Sequence, residues 1–411
     1  MTDGRGTPVR WRVSSLVPVV CLLLVVSGCT GAGTADPAAG AAIRRVLERR
    51  AAAVLDRDET TYLAVLDPAA QALRATARRT FENLAEVPVG SWGYRLTALD
   101  RAGSRATVRA DLRYRLTGYD SAPVSVPRTL TLAERDGRWY VTGDRPADGR
   151  RLLWEQGRVR AVHGARSLVL GVGQGEATLR RIAATADLAV PAVSDVWPGG
   201  WAHRVVLLVP GSPTAMAALL GTGTGESYRG IAAVTTGETG GTGTAPADRV
   251  IVNPDAYDGL GDFGKRVVLT HETTHVATRA ATSAATPVWL SEGFADWVAY
   301  RTATERTAGQ LAPELQRAVR RGEAPAALPA DADFAFGGDG EALARAYESG
   351  WLACAMIADR WGERKLTAFY RAVGAHDGRA GAVEKAAHDV LSTTPEELTA
   401  RWRAYVRRTL R

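Results

Sequence analysis

The sequence predicts an α+β chain built from two modules, and three patterns carry that expectation. Apolar residues at helical spacing occupy 41–85, and period-two alternation follows to about residue 150. Strand-like and helix-like segments then interchange until about 264, after which the chain reads as helical almost throughout. With 411 residues the chain exceeds what one hydrophobic core usually organises. The expected division is a leader over 1–28, a tether over 29–40, a small α+β module over 41–150 and a larger one over 151–411.

In the leader, Arg5, Arg10 and Arg12 precede a mostly apolar run from Val13 to Val26. Its 14 residues fall short of the roughly 20 that a membrane-spanning helix needs, so a signal peptide is expected. The run ends Val26-Ser27-Gly28-Cys29, which resembles the lipobox of bacterial lipoproteins. That resemblance implies cleavage before Cys29, a lipid on its thiol, and a mature chain held on the extracytoplasmic face of the membrane. A plain secretory signal and an uncleaved anchor are the alternatives. Two acyl chains, at about 0.8 kcal/mol per buried methylene, suffice for firm anchoring. Thr30 to Gly40, rich in Gly, Ala and Thr, reads as the tether.

The first module opens with helical spacing at Ile43, Val46 and Leu47, then Tyr62, Leu63 and Leu66, then Leu73, Phe81 and Leu84, interrupted by Pro68. Strands are expected at Tyr94–Thr97, Ala106–Leu116, Thr129–Leu132 and Trp139–Val141, the last preceded by the hairpin signal Asp136-Gly137. Helices followed by an antiparallel meander resemble the nuclear-transport-factor-2-like (NTF2-like) superfold. In the second module, strands are expected at Ser167–Leu170, Val205–Val209, Gly230–Thr235 and Arg249–Val252, with helices at Ala177–Ala184 and Thr214–Leu220. Residues 221–244, rich in Gly and Thr, read as loops around one strand. Gly171-Val172-Gly173-Gln174-Gly175 departs from a dinucleotide fingerprint, because Glu176 stands where the third glycine belongs; a tight strand-to-helix turn is expected there.

Composition narrows the chemistry. The chain carries 51 basic and 44 acidic residues for a net charge of +7, falling to +5 without the leader. Only Lys265, Lys365 and Lys385 are lysines, so the charge reflects an arginine bias and does not argue for nucleic acid. Three cysteines, Cys21, Cys29 and Cys354, supply neither a disulfide framework nor a four-cysteine zinc site. Any metal therefore falls to the six histidines and the carboxylates.

His271-Glu272-Thr273-Thr274-His275 lies within a helical stretch, Gly264 to Thr278, with Asp262 expected at its N-cap. Histidines at i and i+4 share one helix face, so both imidazoles can reach one tetrahedral ion while the intervening Glu lies beside the open position. A zinc hydrolase needs a third protein ligand. Downstream, Trp289-Leu290-Ser291-Glu292-Gly293-Phe294-Ala295-Asp296 opens a second helical stretch running to about Tyr300. H-E-x-x-H followed by W-L-x-E-G-F-A resembles the gluzincin metallopeptidases, in the aminopeptidase-like branch called peptidase MA. The resemblance covers about residues 150–400 and is strongest over 265–300. It implies a thermolysin- or aminopeptidase-like zincin fold with a helical C-terminal part, and one zinc ion held by His271, His275 and Glu292. It further implies that Asp296 orients His271 and that Tyr347, within Ala346-Tyr347-Glu348-Ser349-Gly350, stabilises the tetrahedral intermediate.

Two departures stand out. Sixteen residues separate His275 from Glu292, two fewer than in the well-known aminopeptidases, and no G-x-M-E-N exopeptidase motif precedes the histidines. Removal of a free N-terminal residue is accordingly not implied. The expected activity is peptide-bond hydrolysis, with Glu272 as general base and acid and a peptide or protein as substrate, paired to a strand edge at Gly230–Thr235 or Arg249–Asn253. His163, His203, His376 and His388 have no partners at ligand spacing, and Cys354 reads as a small buried hydrophobe. The alternatives are a non-catalytic, zinc-containing binding lipoprotein of the cell envelope and a zinc hydrolase acting on a non-peptide bond.

Overall fold

Three helices come first: α1 (Pro37–Leu55), α2 (Glu59–Ala64) and α3 (Gln71–Leu84). This computed structural model describes residues 37–411 except 222–223, 229, 237–247, 302 and 336–337. The leader, Cys29 and most of the tether therefore lie outside the described residues. Helix α1 starts at Pro37 and takes in the last tether residues, ahead of the Ala41 expected from apolar spacing. Proline suits a first helical turn, and alanines at 38, 39, 41 and 42 favour helix without contributing an apolar stripe. Asp58 caps α2 by accepting the Thr61 N–H.

An antiparallel meander follows, β1 (Val89–Ala102), β2 (Arg105–Leu116), β3 (Val124–Arg135) and β4 (Arg138–Pro146), in the order β1-β2-β3-β4. All four strands run beyond the short expected segments: Gly90 and Gly93 in β1 and Pro127 in β3 interrupt the apolar pattern where the pairing continues, and β4 runs on through polar residues. On β2 the alternation is strict: Ala106, Val108, Ala110, Leu112, Tyr114 and Leu116 all face inward. Asp136 and Gly137 both take positive φ, 50° and 71°, the geometry of a two-residue hairpin turn.

The second sheet comprises β5 (Val159–His163), β6 (Ser167–Val172), β7 (Val205–Val209), β8 (Ala233–Thr236) and β9 (Arg249–Val252). Between β6 and β7 runs α4 (Glu176–Val196), and after β7 comes α5 (Pro213–Leu220). The order is β5-β6-β7-β9-β8, with β6, β7 and β9 parallel and an antiparallel strand at each end. Strand β5 has no counterpart in the sequence reading; it is short and half-exposed, so its apolar pattern is weak. Helix α4 extends well past the expected Ala184 and accommodates Pro191. Gly173, at φ 87°, makes the strand-to-helix turn into α4.

Strand β7 is apolar throughout because both its faces are covered. Val206 and Leu208, with Leu168, Leu170 and Ile251, join Leu153, Trp154 and the inward face of the first sheet in one cluster. Val205, Leu207 and Val209 pack on the opposite face with Leu179, Ile182 and Leu269. The boundary expected near residue 150 thus falls between two sheets that share a core, and the described residues from 37 onward belong to one compact unit. A buried ion pair adds to the junction: both terminal nitrogens of Arg249, at the start of β9, donate to Asp120 at 2.7 Å.

The remainder is helical: α6 (Pro254–Asp258), α7 (Asp262–Thr278), α8 (Val288–Tyr300), α9 (Ala308–Leu311), α10 (Pro313–Arg320), α11 (Gly340–Trp361), α12 (Glu363–Gly374), α13 (Ala382–Leu391) and α14 (Pro395–Thr409). Their core holds Trp197, Phe294 and Tyr370 in mutual ring contact, and a fully buried Cys354. Among the described residues no helix is long and apolar enough to cross a membrane.

Candidate metal centre

Helix α7 begins at Asp262, ahead of the expected Gly264. Gly261, with extended backbone, is the N-cap, and Asp262 is the first helical residue, where its charge meets the positive end of the helix dipole. Two buried threonines of this helix are satisfied locally: Thr274 Oγ1 donates to the Thr270 carbonyl at 2.8 Å and Thr278 Oγ1 to the Thr274 carbonyl at 2.9 Å. One face of α7 packs on the second sheet through Leu269, while His271, Glu272 and His275 line a cleft of about 680 Å³.

Helix α8 delivers Glu292 to that cleft, and glycine makes the delivery possible. A Cβ on Gly293 would fall far inside contact distance of the Gly350 carbonyl of α11, and one on Gly350 would lie 2.7 Å from the Trp289 carbonyl of α8. The two backbones therefore cross in direct contact. That crossing sets Glu292, on α8, and Tyr347, one turn before Gly350 on α11, into the same cleft.

The donor atoms converge. His271 Nε2 lies 3.0 Å from His275 Nε2 and 3.2 Å from Glu292 Oε2, and His275 Nε2 lies 3.4 Å from the same oxygen. A tetrahedral ion with arms of about 2.0–2.1 Å requires ligand separations of about 3.3–3.4 Å, so the set fits zinc in spacing as well as in its two-nitrogen, one-oxygen chemistry. Asp296, one helical turn beyond Glu292, accepts from His271 Nδ1 at 2.8 Å and leaves Nε2 facing the cluster. Burial opposes a charged His271, but the hydrogen bond and charge of Asp296, followed by those of Glu292, hold its pKa well above the ordinary histidine value. Burial also works against the Glu292 carboxylate, yet His275 and His271 outweigh it and keep that pKa well below the usual range. Asp296→Asn removes the charge behind His271 and should weaken zinc binding by about 10- to 100-fold, read by competition with a chromophoric chelator. An unchanged affinity would contradict the orienting role.

Glu272 lines the same cleft and is held from the sheet. Its Oε2 accepts from Thr235 Oγ1 at 2.6 Å, which ties the Glu272 side chain to β8. Strand β8 ends the second sheet, whereas β9 lies between β7 and β8. Among the described residues, β8 is therefore the one of the two expected substrate-pairing segments with an edge that no strand covers. Tyr347 sits in the third turn of α11 and not at a helix start, with its ring edge-on to Phe334 at 5.2 Å. Burial raises its pKa, and the charges of Glu292, Asp296 and Glu272 raise it further, so its hydroxyl stays protonated.

Thr235 and Glu348 escape the sequence reading. Thr235 acts on a residue distant in sequence, and a single threonine in a Gly/Thr-rich stretch gives no signal. Glu348 accepts the N–H groups of Glu314 and Leu315 at 3.2 and 2.5 Å, closing the first turn of α10, whose N-cap Ala312 has no side-chain oxygen. Burial raises its pKa to about 7 despite those donors. Only its neighbour, the tyrosine of the same Y-E-x-G stretch, attracts attention in the sequence. The other histidines stay apart from the cluster: His203 pairs with Ser194 at 2.8 Å, His376 with the Gly378 carbonyl at 2.7 Å and His388 with Asp389 at 2.9 Å, while His163 ends β5.

No protein-family model matches the sequence, and no curated protein does. Among solved structures, the chain is similar to a two-domain M1 zinc metallopeptidase variant bound to L-arginine, with 13% identity and a TM-score of 0.35. That alignment covers 74% of this chain and 61% of the other, so the chain spans about three-fifths of that protein's length. Similarity to a variant named Rd1NTF2_05 covers 26% of this chain and 97% of the other, at 15% identity and a TM-score of 0.20. RPA3114 of Rhodopseudomonas palustris, which contains a SEC-C motif, aligns over 27% of this chain and 91% of its own, at 20% identity and a TM-score of 0.20.

Proposed function

We propose that the protein is a zinc-dependent peptidase of the gluzincin kind, anchored on the extracytoplasmic face of a bacterial membrane through lipid on Cys29. One observation carries the peptidase reading: two imidazole nitrogens and a carboxylate oxygen meet within 3.4 Å in a cleft that also holds Glu272, Tyr347 and an end strand of a sheet. The anchoring rests on the leader sequence, and the NTF2-like reading of the first module rests on its three helices followed by a four-stranded meander.

In this reading His271, His275 and Glu292 hold the ion, which supplies Lewis acidity toward a scissile carbonyl and an attacking water. Glu272 takes the proton from that water and passes it to the leaving amine, and the Thr235 hydroxyl fixes the carboxylate for both transfers. Tyr347, protonated at any physiological pH, donates to the oxyanion as charge develops there. The outer edge of β8, uncovered among the described residues, pairs with the substrate backbone and places the scissile bond over Glu272. The cleft walls Val267, Val268, Ile231 and Leu311 present an apolar surface to the substrate side chains.

Stripping the protein with a chelator and restoring it with one equivalent of zinc tests this reading. Peptide cleavage should vanish and then return in full. Cleavage that persists at undiminished rate in zinc-free protein would overturn it.

A further inference from the structure

Among the described residues the cleft of the metal centre is lined by one arginine and no lysine, and the hydrolytic chemistry makes no use of that arginine. It is Arg279, the C-cap of α7, one helical turn beyond His275. His271, His275 and Arg279 therefore stand in one row along the helix. Val267 and Val268 line the same cleft one turn before His271. The converging donors thus have apolar side chains on one flank and a fixed cation on the other.

The arginine is held by one nitrogen and open at the other two. Its Nε donates to Asp248 Oδ2 at 2.8 Å; the Asp248 side chain is fully buried, whereas that of Arg279 is 11% exposed. Asp248 is fixed in turn, since Arg249, whose fork grips Asp120, also donates from Nη1 to the Asp248 carbonyl at 3.2 Å. Nη1 and Nη2 of Arg279 have no partner among the described residues, and neither is sealed from solvent. An arginine tethered through Nε keeps the two parallel donors that match both oxygens of a carboxylate. Tethering also removes rotamer freedom that binding would otherwise cost. Charge points to the same guest, because Glu272, Glu292 and Asp296 line the cleft elsewhere and repel an anion placed beside them. Four residues of helix rise about 6 Å, the span of about two residues of extended peptide, which sets how far from the reacting bond the fork reaches.

We propose that Arg279 selects peptides with an aspartate or glutamate side chain about two residues to one side of the scissile bond, Nη1 and Nη2 donating to its two carboxylate oxygens. This specificity rests on the peptidase reading, and the test separates the two. The probes are peptides of one apolar frame that carry glutamate, or glutamine as its neutral counterpart, at each position in turn. Affinity is read by fluorescence anisotropy on zinc-loaded Glu272→Gln protein, which binds without cutting, and kcat/KM on wild type. At one position glutamate should be favoured over glutamine by about tenfold or more in both measurements. Arg279→Gln places an amide nitrogen where Nε stands, so it keeps the donor to Asp248 and deletes the fork. The preference should then fall to within about twofold. Arg279→Lys, which keeps the charge without the fork, should lose at least about threefold of it. Equal affinity for the glutamate and glutamine peptides at every position, or a preference unaltered in a folded Arg279→Gln or Arg279→Lys variant, would overturn the proposal and leave the peptidase reading intact. An Arg279-dependent preference in binding, with no peptide cut by wild type, would uphold the carboxylate site and overturn the peptidase reading.

Discussion

Glu272→Gln should lower peptide turnover by about 100- to 10,000-fold while zinc stays at one per chain. The amide keeps the size of the carboxylate, and its carbonyl oxygen can still accept from Thr235 Oγ1, so strand β8 and helix α7 retain their link. The base is what disappears, because an amide cannot take the proton from water. None of the three converging donor atoms belongs to Glu272, so metal content should be untouched. Turnover measured alongside zinc per chain on the same preparation checks the prediction. A loss smaller than tenfold would remove Glu272 from the chemistry, and a loss of zinc in parallel would make it a structural residue of the site.

The second large effect concerns stability. Gly293→Val should destabilise the fold by about 3 kcal/mol or more, because the added atoms meet the backbone of Gly350, which has no rotamer with which to yield. The same substitution would separate α8 from α11 and draw Glu292 away from the histidines, so zinc affinity should fall with it. Gly340→Ala is the control on α11: a Cβ there meets nothing within 4 Å, and stability should hold or rise slightly. Denaturant midpoints for the two variants check the pair. A Gly293→Val protein as stable as wild type would refute the close crossing.

What the sequence made legible, and what it left hidden, follows from how far each interaction reaches along the chain. His271, Glu272 and His275 share one helix, so their spacing alone places them on one face. Glu292 follows only from a resemblance, because no spacing rule says which downstream carboxylate a second helix will turn toward the first. The Gly293–Gly350 contact that does the turning joins two motif stretches far apart in the chain, and nothing in either stretch says that their glycines meet. Thr235 and Glu348 work through single hydrogen bonds to distant backbone or side chains, and such bonds leave no periodic trace. In the fold, alternation located the meander but not its length, since Gly90, Gly93 and Pro127 interrupt the apolar pattern where β1 and β3 continue. Strand β5 was silent for a related reason: at a sheet end, half-exposed, it needs little hydrophobic pattern. The division near residue 150 is visible as a change of period, yet Leu153 and Trp154 lie in a core shared by both sheets, which a linear reading cannot show.

The most direct test of the central claim is mass-spectrometric analysis of a diverse peptide library after incubation with the zinc-loaded wild-type protein. Hydrolysis should produce new peptide termini, and these should be absent after chelation. A library left intact by protein shown to carry one zinc per chain would contradict it.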